Sequence, residues 1–256
     1  MILELKKGLT YGPVRSRRLG ASLGINLFPG DRKRCPFDCV YCQYGWTRDV
    51  AVRLSPGTAG LPTPAEVERA VARALESLPA LPAYLTFSGN GEPTLHPDFP
   101  EMVDRMAAIR TRFGGGMRTA LLSNSAGAED PDVRAALARL DVLIMKLDCG
   151  TEDVFRRYNR PARAITLEAI TEGLRMVAER APVTVQALVA AGSAGNLDEA
   201  EAQAWIERLV AIGPAAVQLY TLARDWPSND LSPAPESSLR TLADLARTRG
   251  VPVTVF

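Results

Sequence analysis

The residues best placed to do chemistry are the cysteines of the run Cys35-Pro-Phe-Asp-Cys39-Val-Tyr-Cys42, separated by three and then two residues. A [4Fe–4S] cluster has four irons, so three thiolates in so short a stretch would hold three corners and leave one iron without a protein ligand. That open iron is the site of chemistry. Phe37 and Tyr41 lie between the thiols, where their rings could shield the sulfurs from water, and Tyr41 directly precedes Cys42. Two plainer arrangements compete. A structural zinc normally takes four ligands from two separated pairs, and there is no second Cys-x-x-Cys in the chain. Disulfide stapling suits small secreted domains, whereas three of the 4 cysteines here crowd into one motif.

The spacing, with an aromatic before the last cysteine, resembles the signature of the radical S-adenosylmethionine (SAM) enzymes. A second segment extends the resemblance. The apolar run Ala83-Tyr-Leu-Thr-Phe87 reads as a buried strand ending in Ser88-Gly-Asn-Gly-Glu-Pro-Thr94, and glycines at a strand's end let a ligand approach bare backbone closely. It is similar to the family's Gly-Gly-Glu motif, which holds the amino group of the SAM methionine and stands here as Gly89-Asn90-Gly91-Glu92. In the family, polar side chains at the ends of the third to fifth strands hold the SAM ribose hydroxyls and carboxylate. The resemblance assigns this to Asn124, Lys146, Asp148 and Gln186, with Lys146 toward a carboxylate and Asp148 toward hydroxyls, and counts Tyr41 among the cofactor contacts. Read from the residues alone, Lys146 and Asp148 share parity on one strand and could equally be a satisfied polar layer.

The elements that must position these residues follow from periodicity. Ser22 to Phe28 reads as a first strand stopped by Pro29-Gly30. Thr63-Pro64-Ala-Glu66 is a capping box with proline at the first helical position, and Val67, Ala70, Val71, Ala74, Leu75 and Leu78 form one apolar face behind it. Helices are expected at about 99–113, after Asp130-Pro131 with Val133, Leu137 and Leu140, at 166–180, at 198–212 with Trp205, Ile206 and Leu209 inward, and at 235–249 with Leu239, Leu242 and Leu245 inward. Strands are expected at 117–124, 142–148, 183–189 and 216–222, with a short terminal one at 251–256. Such alternation means a parallel sheet covered by helices through right-handed crossovers. About six units fall short of the eight of a closed barrel, so the expected fold is α/β, a partial (β/α)6 TIM-like barrel, in a single domain 1–256 whose residues 1–20 approach a core at 21–256. The missing quarter leaves a lateral opening.

Composition sets the setting. Formal net charge is +1, so any anion site must be local. Arg15, Arg17, Arg18, Arg32, Lys33 and Arg34 bracket the first strand, and Arg156, Arg157, Arg160 and Arg163 follow the fourth. Either group could be solvated surface or could grip a substrate anion or a reductant protein's acidic face. The stretch Gly12-Pro-Val-Arg-Ser-Arg-Arg-Leu-Gly20 resembles an uncharacterised iron–sulfur oxidoreductase subfamily of radical SAM proteins related to the wyosine-forming tRNA enzymes. Early charges in Met1-Ile-Leu-Glu-Leu-Lys-Lys and the lack of a long apolar run predict a cytoplasmic protein without a membrane span.

His96, the only histidine, sits beside Pro97 at a helix start and reads as structural. Cys149 reads as a small buried hydrophobe or as a hydrogen-atom donor, and it and Tyr220 are the candidates for catalysis. The resemblance implies that SAM chelates the open iron, that the reduced cluster cleaves it to a 5′-deoxyadenosyl radical, and that a flavodoxin or ferredoxin supplies the electron. Gln186, Gln218, Tyr220, Arg224 and Trp226 would face a small-molecule or peptide substrate with an anionic handle. An activase of a partner protein, an RNA-modifying enzyme and a non-enzymatic iron–sulfur carrier are the alternatives, with near-zero net charge weighing against RNA.

Overall fold

Apolar strands and amphipathic helices alternate as the periodicities predict, and in the computed structural model they assemble into one eight-stranded sheet. The structure describes residues 2–16, 19–48 and 50–256, so the expectations for Arg17 and Arg18 lie outside the described residues. The strands are β1 (Thr10–Ser16), β2 (Gly20–Ile25), β3 (Tyr84–Phe87), β4 (Arg118–Ser123), β5 (Val142–Lys146), β6 (Val183–Leu188), β7 (Ala190–Ala191), β8 (Ala216–Tyr220), β9 (Ser232–Pro233) and β10 (Val253–Val255). The large sheet runs β1-β2-β3-β4-β5-β6-β8-β10, and β7 pairs with β9 apart from it. Only the β1–β2 pair of the large sheet is antiparallel; the others are parallel. The sheet therefore ends at β1 and β10 without closing, as a partial barrel should.

Helices α1 (Pro64–Ser77), α2 (Phe99–Phe113), α3 (Pro131–Leu137), α4 (Glu152–Tyr158), α5 (Leu167–Ala178), α6 (Glu199–Ile212) and α7 (Glu236–Thr248) cover the sheet. Their starts are written in local chemistry. Thr63 and Glu66 make the reciprocal capping box of α1, and the Asp130, Thr151, Thr166 and Asp198 side chains cap α3, α4, α5 and α6. Each such cap contributes about 1 kcal/mol. The inward stripes, such as Val67, Val71 and Leu75 of α1, are buried in one hydrophobic core. In α7 the inward stripe is Leu239, Leu242 and Ala246, while Leu245 is half exposed, one residue off the buried face.

Three differences from the expected elements matter to the site. The N-terminal approach contributes β1, an edge strand on which Pro13 is tolerated because an edge can spare a backbone donor. β2 stops at Ile25, and the next residue, Asn26, ties the N-terminal segment to the turn after β3: its N donates to Leu9 O at 2.8 Å, its Nδ2 donates to the carbonyls of Lys6 and Gly8, and its Oδ1 accepts from the amide of Asn90. α4 occupies the arginine-rich segment after β5, which is not among the expected helices.

Candidate functional site

The cysteine loop is held from two sides. On one, Arg34 N donates to Asn90 O at 3.0 Å and Glu92 N to Arg34 O at 2.9 Å, joining the loop to the glycine turn after β3. A Cβ on Gly91, whose φ is +133°, would meet the Arg34 carbonyl oxygen at 1.7 Å, so only glycine permits this approach. On the other side, Val40 N donates to Tyr158 O at 3.0 Å and Ala162 N to Pro36 O at 2.8 Å, fastening the loop to the end of α4 and the turn beyond it. Phe37 packs edge-on to Phe155, ring centres 5.4 Å apart.

Cys35, Cys39 and Cys42 line a cavity of about 170 Å³ together with the glycine turn and the ends of β4, β5 and β6. Every predicted metal or cofactor position reaches it except Asn90 and Asp148. The side chain of Asn90 turns away from it: Nδ2 donates to Lys6 O and Phe28 O, and Oδ1 accepts from Lys6 N, so the N-terminal segment consumes it. Asp148 departs from its expected role for a different reason. β5 ends at Lys146, so the alternation that would put both side chains in the lumen lapses before Asp148. Its carboxylate is buried beneath the cavity, where it accepts from the Tyr41 hydroxyl, Asn159 Nδ2 at 2.8 Å, Leu188 N at 2.9 Å and Lys146 Nζ at 3.0 Å.

Glu92 reaches the cavity but is also heavily used. It accepts from Thr94 N and Oγ1, Ser123 Oγ and Asn124 N, the last at 2.6 Å, which ties the glycine turn to β4. Burial nevertheless raises its pKa, because desolvation outweighs these donors. Lys146 lies against two phenol rings, 5.1 Å from the centre of Tyr41 and 5.3 Å from that of Tyr220. Burial pulls its pKa down, but the charge of Asp148 and its bond to Tyr220 more than offset that, leaving the ammonium's pKa above its ordinary value. The chain register places Lys146 beside Gln186 and Gln186 beside Gln218, one polar layer across β5, β6 and β8. Gln186 Nε2 donates to Gln218 Oε1 at 3.1 Å, and the Tyr220 hydroxyl donates to Gln186 Oε1 at 3.3 Å.

The thiols fit a cluster. Burial, then the neighbouring Cys39, pushes the Cys35 thiol well up, and burial with Cys42 beside it pushes Cys39 up to about 12. A cation bound at these sulfurs would favour the thiolate form against that burial. A cuboidal cluster takes its thiolates on separate irons and so asks for three spaced sulfurs.

A larger cavity of about 650 Å³ adjoins the first, sharing Tyr41, Cys42, Leu122, Lys146 and Gln186. Tyr220, Arg15 and Arg224 line it, whereas Gln218 and Trp226 do not. Trp226 packs half-buried against the core. Arg156 and Arg157, expected near the substrate, are also outside it: Arg156 pairs with Glu152 at 2.6 Å and Arg157 donates to Gly195 O at 3.0 Å. The remaining basic residues divide similarly. Arg32 and Arg163 are exposed, Arg160 pairs with Asp38 at 3.2 Å, and Lys33, whose Nζ donates to Gly45 O, lines the cysteine cavity. Cys149 is fully buried and reaches neither cavity; its thiol donates to Asn159 Oδ1 at 3.2 Å. His96 Nδ1 accepts from Asp98 N at 3.2 Å, at the start of α2. Sequence reasoning misses Asn159, at the C-terminal end of α4, and Tyr11, whose ring covers Gly24 and whose hydroxyl is 2.6 Å from Ser88 Oγ. The Thr151 cap and the acidic-to-basic gradient over 152–157 are the signals that could have revealed α4.

Residues 33–193 match the family model of the radical SAM superfamily. A UPF0026 protein of Synechocystis sp. is 32% identical over 219 residues, 85% of this chain and 76% of the relative. A UPF0026 protein of Methanocaldococcus jannaschii is 33% identical over 167 residues, 65% of this chain. The chain spans 48% of the length of that protein and 46% of a Helicobacter pylori UPF0026 protein, about half of each. In fold it resembles a radical SAM methyltransferase from Sphaerobacter thermophilus, with TM-score 0.65, 18% identity and coverage of 92% of this chain and 65% of that one. It also resembles TYW1 with a lysine-pyruvate adduct bound, with TM-score 0.62, 15% identity and coverage of 89% and 73%. No helix among the described residues is long and apolar enough to cross a membrane. By family model and by its relatives, the chain belongs to the UPF0026 proteins and to the radical SAM superfamily, the enzymes that bind a [4Fe–4S] cluster and SAM.

Proposed function

We propose that this protein generates a radical from SAM beside the cysteine loop and uses it on a small-molecule or peptide substrate bearing an anionic group. One observation carries the reading. The cysteine-lined cavity shares a wall with the larger one, and among the described residues the charged side chains lining the larger one are Arg15, Lys146 and Arg224, all basic.

Cys35, Cys39 and Cys42 would hold the cluster, and the backbone of Gly89 and Gly91, with Asn124, Lys146 and Gln186, would hold SAM. When bound, the reduced cluster and SAM would supply a 5′-deoxyadenosyl radical for hydrogen-atom abstraction. The remaining work is done by this chain's side chains. Leu122 and Ile144 present apolar surface where the two cavities meet, which limits the water next to the reacting centre. Lys146, fixed by Asp148 and Tyr220, offers a positive charge that cannot wander, so an anion is oriented at low entropic cost. Tyr220 and Gln186 share one hydrogen-bonded layer and hold each other's rotamers, leaving the Tyr220 hydroxyl at the wall of the larger cavity. We assign Cys149 a packing role.

The chain 1–256 acts as one catalytic unit in this reading. A one-electron donor protein would reduce the cluster, in a cytoplasmic setting that suits cysteines outside disulfides. The test is anaerobic reconstitution followed by reduction with SAM present. Formation of 5′-deoxyadenosine and methionine, accelerated by an anionic candidate substrate, supports the proposal. Bound cluster with neither binding nor cleavage of SAM rejects it in favour of an iron–sulfur carrier.

A further inference from the structure

Two amides point at the cysteine sulfurs from opposite sides of the loop. Asn124 Nδ2 lies 3.4 Å from Cys35 Sγ, and Asn159 Nδ2 lies 3.5 Å from Cys39 Sγ. Their orientation is dictated by the other ends of the same side chains. Asn124 Oδ1 accepts from Ala126 N at 2.9 Å, and Asn159 Oδ1 accepts from the Cys149 thiol at 3.2 Å. Asn159 Nδ2 also faces Asp148 Oδ2 at 2.8 Å, an atom that can only accept. Flipping either amide would break these bonds, so in both the NH2 group is turned to sulfur.

Asn159 is held especially firmly. It is buried, and its amide is fixed by Asp148, which is fixed in turn by Lys146 and the amide of Leu188. An amide of this kind has no need of a sulfur for its own satisfaction. One N–H of its NH2 group serves Asp148 at 2.8 Å and the other lies between Cys39 Sγ at 3.5 Å and the Tyr41 hydroxyl at 3.2 Å, and through Asp148 the amide is linked to a lysine on the cavity wall.

We infer that Asn159 and Asn124 are positioning residues that set the reduction potential of the cluster, by donating hydrogen bonds to the sulfurs of Cys39 and Cys35. The inference rests on the reading that these cysteines carry the cluster. Reduction adds negative charge to the cluster and its sulfurs, and a donor aimed at a sulfur stabilises that charge. Removing a donor makes the cluster harder to reduce. A net hydrogen bond of about 0.5–1.5 kcal/mol corresponds to about a threefold to tenfold change in the ratio of reduced to oxidised cluster at fixed poise. The upper end is about 59 mV for a one-electron couple. The two amides sit on separate elements and touch different sulfurs, so their effects should add.

The test is a potentiometric titration of the reconstituted full chain, followed by electron paramagnetic resonance, with iron content and thermal unfolding recorded for each variant. Asn124→Ala and Asn159→Ser should each move the midpoint potential downward, with the double variant lower still. Asn159→Leu is the second probe at that position, to be read if the serine variant folds poorly. Asn196→Ser is the structural control. Asn196 donates to Asp148 O at 2.7 Å and Leu188 O at 3.0 Å, in the same part of the fold but on backbone carbonyls. It should lower the unfolding temperature and leave the potential in place. The inference is overturned if the asparagine variants hold iron at the wild-type potential, or if Asn196→Ser moves the potential as far as they do. A wild-type chain that binds no cluster would instead overturn the cluster assignment itself.

Discussion

Lys146 Nζ stands 3.0 Å from Asp148 Oδ1, yet of the two side chains only the lysine reaches the cysteine-lined cavity. Asp148 is thus a buried anchor that holds a cation at the cavity wall. Breaking a buried pair from one side leaves an uncompensated charge and costs about 3–5 kcal/mol, whereas replacing both partners costs much less. Lys146→Met should therefore destabilise the fold by about 3 kcal/mol in a urea titration. Lys146→Met with Asp148→Asn should recover part of that loss. Simple addition of the two single-variant losses would argue that the pair is not coupled.

Gly91 permits the contact that ties the cysteine loop to the turn after β3. A methyl group would have to occupy the place of the Arg34 carbonyl oxygen, and the backbone is held at a φ that other residues rarely adopt. Gly91→Ala should displace Cys35 and cut iron loading well below half, while Gly114→Ala, with nothing within 4 Å of its Cβ position, should load normally. Iron and sulfide analysis of the reconstituted variants checks it.

Local chemistry made much of the fold readable and left its limits at strand ends. Thr63, Pro64 and Glu66 announce α1, and Thr63 N donates to Glu66 Oε2 at 2.8 Å as a capping box requires. The partial barrel follows from alternation of strand and helix, and the cysteines, Glu92, Asn124, Lys146 and Gln186 do meet at one cavity. Asp148 was beyond reach because parity predicts a side chain's face only while the strand continues, and β5 stops two residues earlier. Asn159 lies 120 residues from the sulfur that it faces, a separation at which no local pattern speaks. Asn90 looks like part of a ligand turn in sequence, but its amide is spent on the carbonyls of Lys6 and Phe28, contacts that only the tertiary fold creates.

The cysteines separate by environment as well as by spacing. Cys35, Cys39 and Cys42 face the cavity, while Cys149 is sealed in the core. Each of Cys35→Ser, Cys39→Ser and Cys42→Ser should abolish the iron–sulfur absorbance after anaerobic reconstitution. Cys149→Ser should keep it, with a stability loss of about 1–2 kcal/mol from placing a hydroxyl where a thiol packs. Equal iron loss from Cys149→Ser would contradict the ligand set.

His96 gives the fold a pH dependence of definite sign. Burial lowers its pKa, against the opposing pull of Asp98, and Nδ1 must stay unprotonated to accept from Asp98 N. The unfolded chain takes up a proton near the ordinary histidine value of about 6.5 that the folded chain resists, so stability is full above it and falls as pH drops toward the lowered native value. Chemical denaturation at pH 7.5 and at 5.5 should show wild type losing stability relative to His96→Gln. A constant difference between the two would remove histidine as the cause.

Arginines at the larger cavity should affect the substrate and spare the chemistry of the cofactor. Arg15 and Arg224 line that cavity, and Arg224 Nη1 is held by Gln43 Oε1 at 3.3 Å, next to the last cysteine. Replacing either by glutamine removes a charge available to an anionic substrate but no contact to Cys35, Cys39 or Cys42. KM for an anionic substrate should then rise about tenfold, as for loss of one charge-assisted hydrogen bond, with substrate-free SAM cleavage changed much less. Arg156→Gln, on a residue engaged with Glu152 away from the cavity, should leave KM alone. A rise in KM equal to that of Arg15→Gln would return the substrate to the α4 side, and loss of both activities together in Arg224→Gln would place that arginine in the support of the cluster loop.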